Sequence, residues 1–529
     1  MKNFTLISAG ILWLLISGET SAQTPVKIWD RFFNGNFTGK DEVRSVLSDA
    51  SGNVYITGTS YHFFNGGNFS TLKYDSNGTQ LWADHYYSAQ QGYFNGGKKL
   101  VMDKWGNVYA VGTLAINDGD LAIIKYGPNG RLWTINYQPY SFSTYDDFGV
   151  DMGVDTSGNF YAIAQVTSPS GNMDDLYIMK CDSSGTKLWD VNYSGASAED
   201  YPRSLAVSKA GNAYPALSTF NFFGTATYDI ATIKYTTTGT PDWTSNYNGA
   251  GNAVDYPTMI NVDDFENTYV CGTADAGATN DMVCYKQNNY GTRLWTVTYN
   301  GTASGNDTAV AIRNLPNNLV VVTGSTKELV NGVNKNAIVT MLIDSGTVLW
   351  TRKYYGAADI GATPTGMIID NNGNFVICGY EDTPLVFRNG TILCYDVSGN
   401  IVWSDSYDSG AGLADKFNAL SADPFGNIFA AGQSFTTGTT DAAYLTVKYG
   451  IGGTSSVNEI NNNTIALFPN PVSAGETVFI QMKNNFSNEP IQIYTADGRL
   501  VRTEIASKGN KAGIPKEFIL LPATVFLKR

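Results

Sequence analysis

Eight tryptophans recur at a nearly constant interval, and that interval limits what this chain can become. Trp29, Trp82, Trp133, Trp189, Trp243, Trp295, Trp350 and Trp403 are separated by 53, 51, 56, 54, 52, 55 and 53 residues. A fixed period of this length marks a repeat architecture, in which one unit cannot bury its apolar face alone and must stack on its neighbours. A length of 529 residues would otherwise suggest several unrelated domains, but the repeat takes precedence over that prior.

The unit is clearest from Asp49 to Tyr87, which reads DASGNVYITG, a polar loop, then STLKYDSNGTQLWADHYY. Four strands are expected in it: A over 43–48, B over 53–59, C over 69–74 and D over 80–86. The A–B and C–D connections, Asp49-Ala50-Ser51-Gly52 and Asp75-Ser76-Asn77-Gly78, are short and turn-rich, as tight antiparallel hairpins require. The B–C and D–A connections are longer and vary between units. Low charge (15%) with abundant Thr, Tyr, Val and Ile also suits strands better than helices. Four antiparallel strands repeated radially predict an all-β fold, a β-propeller.

Eight tryptophans and eight A–B turns predict eight blades. The A–B turn ends in asparagine every time (Asn53, Asn107, Asn159, Asn212, Asn267, Asn318, Asn374 and Asn427). Glycine precedes it in six units, and Glu266 and Asn317 replace that glycine in the other two, which reads as a requirement for positive φ. Strand D continues W-x-x-x-Y or F, and a spacing of four puts both aromatics on one face of a strand, to be buried between neighbouring blades. The chain starts this region with the end of a unit, Val26 to Gly35, and finishes it with the beginning of one, DPFGNIFAAG and AAYLTVKYG. The two fragments make one blade, so the N-terminal strand is expected to close the ring.

Outside residues 24–450 the composition changes. Residues 1–22 carry one lysine, an apolar core around Leu6 to Ile16 and small residues at Ser21 and Ala22, which reads as a secretory signal peptide cleaved after Ala22. No later segment approaches the roughly 20 apolar residues of a transmembrane helix. Residues 451–463 read as a polar linker, and residues 464–529 as a separate small β-sandwich-like domain of short alternating strands.

Two resemblances follow from these motifs. DxxGNxYxxG followed by K-Y-D-x-x-G-x-x-x-W resembles the β-propeller repeats of secreted bacterial proteins over about 425 residues. The tryptophan frames are also similar to the docking motifs of eight-bladed quinoprotein dehydrogenases, although Asn77 stands where those have threonine, and the adjacent cysteine pair of those enzymes is missing. At the other end, Phe468-Pro469-Asn470-Pro471, the strands after it and the turn Asp497-Gly498-Arg499 resemble the C-terminal sorting domain of type IX secretion substrates of Bacteroidota. The closing LPATVFLKR is similar to that family's penultimate strand, so its last strand is expected to be lacking. The resemblance implies export through the periplasm, engagement of the type IX machinery, and an extracellular or cell-surface location.

The net charge of −13 and the lack of any basic run argue against nucleic acid. None of the five cysteines forms a CxxC pair. Cys271 with Cys284, and Cys378 with Cys394, flank one hairpin each; they either bridge or serve as small buried residues. The only histidines are His62, expected in a loop, and His85 on strand D, and neither stands in a nucleophile motif. An acidic residue recurs twelve positions before the turn asparagine: Asp41, Asp147, Asp200, Asp255 and Asp415, with Asn95, Asn306 beside Asp307, and Ala362 in the same frame. These side chains either ring the channel mouth and bind a cation such as calcium, or cap the D–A turns.

Departures from the repeat are the better place to look for function. Loops of the first four blades carry Tyr61, His62, Phe63 and Phe64; Tyr87 with Tyr93 and Phe94; Tyr140 with Phe142 and Tyr145; and Phe220 with Phe222 and Phe223. All belong to one face, where they either stack on a ligand or fold back over the blade tops. The expected function is a non-enzymatic, monomeric propeller that binds a glycan or surface protein there. The alternatives are a polysaccharide-active or cofactor-dependent enzyme with its site at the channel mouth, or a passive scaffold.

Overall fold

A computed structural model describes residues 25–35, 39–62, 66–87, 95–114, 120–137, 147–168, 173–195, 199–221, 227–277, 279–303, 305–384, 387–410, 414–435 and 441–451, and beyond them six short strands. The signal sequence, most of the linker, Pro469-Asn470-Pro471 and the Asp497–Arg499 turn lie outside the described residues. The chain divides into two compact units, residues 1–451 and 452–529.

The first unit is a ring of eight four-stranded antiparallel sheets, each in the order A-B-C-D. Blade 1 consists of Glu42–Ser48, Val54–His62, Gly66–Tyr74 and Gln80–Tyr86. Strands A of successive blades pack against each other around an unbroken circle, whereas strands D hardly meet, so A is the innermost strand and lines the channel. In blade 8, Asp415–Ala422, Ile428–Phe435 and Ala442–Ile451 supply A to C, and Pro25–Phe33 supplies D. The chain ends thus close the ring through backbone hydrogen bonds rather than a covalent link.

Sandwiching between neighbours explains the burial pattern. The middle strands Val108–Leu114 and Asp120–Gly127 of blade 2 are buried at every position, while its outer strand Gly130–Tyr137 is only partly covered. Each tryptophan of strand D serves the next blade. The Trp82 ring stacks on Tyr126 of blade 2 with centroids 5.2 Å apart. Its indole N–H donates to the Pro128 carbonyl in that blade's C–D turn at 3.0 Å. Trp29, Trp189, Trp243 and Trp350 donate in the same way to Ser76, Thr237, Asn289 and Val397. Burial of a large aromatic contributes about 2–3 kcal/mol, so this one contact repeated around the ring is a main source of cohesion.

The hairpin between strands B and C of blade 1 differs from expectation. Both strands run further than the repeat suggests, with Ser60, Tyr61 and His62 paired to Asn68, Gly67 and Gly66. His62 is therefore a strand residue rather than a loop residue. The Ser60 and Ser70 hydroxyls meet at 2.5 Å, and the Tyr61 N–H is held by the Asp41 carboxylate at 2.7 Å, which extends the ladder. Blade 6 carries the same extension further: Leu319–Val330 and Val333–Asp344 are joined only by Asn331-Gly332, whose φ values of 52° and 80° make a two-residue hairpin turn. The second unit holds two three-stranded sheets, one of Ile465–Phe468, Val478–Met482 and Lys511–Ile514, the other of Pro490–Tyr494, Leu500–Ile505 and Leu527–Lys528.

Candidate functional site

The A–B turns carry their most regular residues for internal reasons. Asp49 Oδ1 accepts the N–H groups of Ser51 and Asn53, and its Oδ2 accepts the Asn53 amide at 2.7 Å. The same clasp recurs at Asp103, Asp155, Asp263, Asp370 and Asp423. These turns form one face of the ring, and the loops of the other two connections form the opposite face.

The recurrent carboxylates at the head of strand A are committed to the backbone. Asp41 accepts the N–H of Gly35 at 2.5 Å and of Tyr61 at 2.7 Å. Asp255 does the same with Gly249 and Asp275, and Asp307 with Gly301 and Lys327. In blade 6 it is therefore Asp307, not Asn306, that holds the position. Asp200, Asp415 and Asp147 accept from Gly195, Ser409 and Thr167. Each carboxylate ties its D–A loop, the far end of strand B, or both to the head of strand A. Burial, partly offset by the two amide bonds, pushes the Asp41 carboxyl up to about 6. Among the described residues no three His, Cys, Asp or Glu side chains converge as a metal site.

Of the aromatic loop residues, Phe63, Phe64, Tyr93, Phe94, Tyr140, Phe142, Phe222 and Phe223 lie outside the described residues, as do the side chain of His62 and the loop residue Tyr145. The described ones stand at the feet of those loops. Tyr61 packs its ring against Gly39, and Tyr87 is half exposed. Phe220 meets Tyr228 edge-on at 5.2 Å, and the Tyr228 and Tyr201 hydroxyls both donate to Glu199, whose carboxyl these bonds hold below its usual range. The base of the blade-4 loop is thereby cross-braced. His85 stacks on Phe33 of blade 8 and hydrogen-bonds Ser70, a packing arrangement. All five cysteines are free and buried; burial pushes the thiols of Cys181, Cys271 and Cys378 up to about 12, the opposite of a reactive thiolate.

One feature of the channel wall was not visible in the repeat. In every blade the A–B ladder skips one residue, the fourth of the strand-A frame, and this β-bulge re-aims a side chain. In blades 5, 7 and 8 the bulged residue ties the ring together: Thr258, Thr365 and Asn418 donate to the carbonyls of Ala309, Phe417 and Val43 in the next blade, at 2.6, 2.7 and 2.9 Å. Blades 3 and 6 have Val150 and Val310 there. In blades 1, 2 and 4 the position is a long cation: Arg44, Lys98 and Arg203. Beside Arg203 lies an open cavity of about 340 Å³, lined by Arg203, Tyr256, Pro257 and Thr258.

A second set of aromatics also escaped the sequence reading. Trp105, Phe265 and Phe425 occupy the third position of the A–B turn and are 59%, 79% and 69% exposed. The available signal was the turn alignment itself, in which DKWGN, DDFEN and DPFGN stand apart. Trp105 leans over Gly158 of blade 3, where any larger residue would collide with it, and Phe425 lies within contact distance of Gly52 of blade 1.

No protein-family model matches the chain, and no curated protein matches it. Similar solved structures include proteins of unknown function from Bacteroides caccae (13% identity, 56% of this chain and 93% of that one, TM-score 0.33) and Dyadobacter fermentans (9%, 57% and 95%, TM-score 0.36). Another is the α-L-arabinofuranosidase Arb93A of Fusarium graminearum (13%, 56% and 91%, TM-score 0.36). None of these reaches a TM-score of 0.5, and none speaks to this chain's ligand or chemistry. The fold itself rests on the chain's own strands: it is an eight-bladed β-propeller of four-stranded antiparallel blades.

Proposed function

We propose that this chain is a secreted or cell-surface binding propeller without catalytic activity, which recognises a glycan through the loop face of blades 1 to 4. The supporting observation is the bracing of the loop feet. Tyr61 is clamped by Asp41, and Phe220 is packed against the Glu199–Tyr201–Tyr228 cluster, so strand B of blades 1 and 4 ends in a braced aromatic on the loop face. Rigid presentation lowers the entropy lost on binding and suits aromatic stacking on a sugar face. Export by the type IX route, with residues 464–529 as the sorting domain, belongs to this reading and rests on the motifs at the two ends of the chain. Its test is a quadruple variant, Phe63, Phe64, Phe222 and Phe223 each to Ser, screened on a glycan array and a surface-protein panel. The expected result is loss of glycan binding at an unchanged melting temperature. Binding that survives, or that goes only to proteins, would overturn the reading.

A further inference from the structure

The channel wall carries a charge distribution that the repeat does not require. Three of the eight blades place a tie at the bulge and three a cation, and the cations are gathered on one arc, in blades 1, 2 and 4. Arg44 is paired to Glu42 at 2.7 Å. Lys99, beside Lys98, reaches Asp151 at 3.9 Å, and that carboxylate is already used by the Leu205 N–H and the Ser204 hydroxyl. Lys98 and Arg203 have no hydrogen bond or ion pair to another described residue. Four cations (Arg44, Lys98, Lys99, Arg203) thus face two carboxylates (Glu42, Asp151) in a chain whose net charge is −13. Burial, with repulsion from Arg44 and Arg203 outweighing the attraction of Glu42 and Asp151, lowers the Lys98 pKa. A wall that concentrates unpaired positive charge in a confined space attracts an anion.

We propose that Arg203 and Lys98 bind the carboxylate of an acidic sugar inside the channel, with its ring in the cavity beside Tyr256 and Pro257. The bulge lies three residues, roughly 10 Å, below the loop-face end of strand A, so the ligand enters from that face. A guanidinium presents a planar fork that matches a carboxylate with two parallel N–H···O bonds, and an ammonium adds a point charge. The cavity of about 340 Å³ exceeds the needs of a bare inorganic anion. Tyr256 and Pro257 give it an apolar wall for the C–H face of a pyranose, while Tyr201 already lies under the Arg203 guanidinium at 5.9 Å and steadies it.

The inference deepens the glycan reading by naming the sugar's chemistry, and its test is separable from the loop test because a monosaccharide reports on the channel alone. The full chain is titrated with glucuronate, galacturonate, glucose and inorganic sulfate by calorimetry and ligand-observed NMR, in wild type and in Arg203→Gln and Lys98→Met. The expected result is saturable binding of a uronate, about tenfold or more tighter than glucose, that weakens about tenfold in either variant and falls with added salt. Arg203→Lys should retain part of it, and thermal melts should show the variants folded as well as wild type, since both remove an unpaired cation. Equal binding of glucose and glucuronate, sulfate competing as strongly as the uronate, or variants that bind like wild type would each overturn the proposal.

Discussion

The Glu266 carboxylate of blade 5 accepts a 2.6 Å hydrogen bond from the Asn212 amide of blade 4. In six other blades the turn asparagine is held by an aspartate four residues before it, but blade 4 has Ser208 there. Glu266 supplies the missing carboxylate from the neighbouring blade, bonding Ser208 Oγ at 2.9 Å and the Lys234 ammonium at 3.2 Å. To do so it stands at φ 62°, a conformation that six of its seven counterparts leave to glycine and the seventh to Asn317. Two irregularities of the repeat are therefore one compensated pair.

A double-mutant cycle tests this. Glu266→Gly relieves about 1 kcal/mol of backbone strain but leaves Asn212 without its carboxylate and Lys234 with Asp242 alone, for a net loss of about 1–3 kcal/mol. Ser208→Asp alone places two carboxylates together and should also destabilise. The double variant rebuilds the clasp used elsewhere, and urea unfolding should return it close to wild type. Additive losses would show that the two positions are not coupled.

Trp403 differs from the other tryptophans of its frame in a way set by ring closure. It stacks on Tyr449 at 6.4 Å, but its buried indole N–H finds no acceptor. For Trp29, Trp82, Trp189, Trp243 and Trp350 that acceptor is a carbonyl in the next blade's C–D turn; in blade 8 strands C and D come from opposite ends of the ring-forming segment, so no such turn exists. Trp189→Phe should then cost about 1 kcal/mol more than Trp403→Phe, because only the former gives up a hydrogen bond. Equal losses in chemical denaturation would contradict the assignment.

These cases show what could be read from residues alone. The tryptophan interval and the eight turn asparagines reveal blade number, strand order and closure because every unit must solve the same packing problem with the same residues. The bulge could not be read this way, since an extra residue in a ladder leaves the side-chain alternation of strand A looking ordinary until its partners are known. Arg44, Lys98 and Arg203 are easily seen once aligned, but only the bulge turns them toward the channel. Glu266 looked like a tolerated glycine substitute, because its partner lies 54 residues away in another blade. The exposure of Trp105, Phe265 and Phe425 is not legible in sequence, because a short turn constrained by its Asp, Gly and Asn leaves its third position free to be of any type.

Acidity acts on the interface between blades 3 and 4. Burial, and then the neighbouring Asp200 and Asp174 carboxylates, raise Asp175 to about 6. A carboxyl raised in the folded state favours folding when protonated, so its contribution is fully present below about pH 4 and is lost as pH climbs through 6. Asp175→Asn mimics the protonated form. At pH 7.5 the variant should melt at or above wild type, by up to a few degrees, and the gap should close as pH falls to 5. A gap that widens on acidification would reverse the assigned shift.

Closure makes the sharpest demand on stability. Strand Pro25–Phe33 completes blade 8, buries Trp29 against Phe429 at 5.9 Å, and sends Arg31 to the Gly78 carbonyl of blade 1 at 2.7 Å. Without it, Ala442–Ile451 becomes an open edge with unpaired N–H and C=O groups, and the seam between blades 8 and 1 loses its outer wall. Loss of the Trp29 side chain alone is worth about 3–5 kcal/mol. Deleting residues 25–35 should lower the melting temperature of the whole ring and drive association through the exposed edge, visible by size-exclusion chromatography. A synthetic peptide of the deleted sequence supplies the same backbone partners and the same indole, so adding it in excess should raise the melting temperature and return the ring to monomer. A deletion variant that melts cooperatively at the wild-type temperature, or one that the peptide leaves unchanged, would mean that the ring does not depend on this strand.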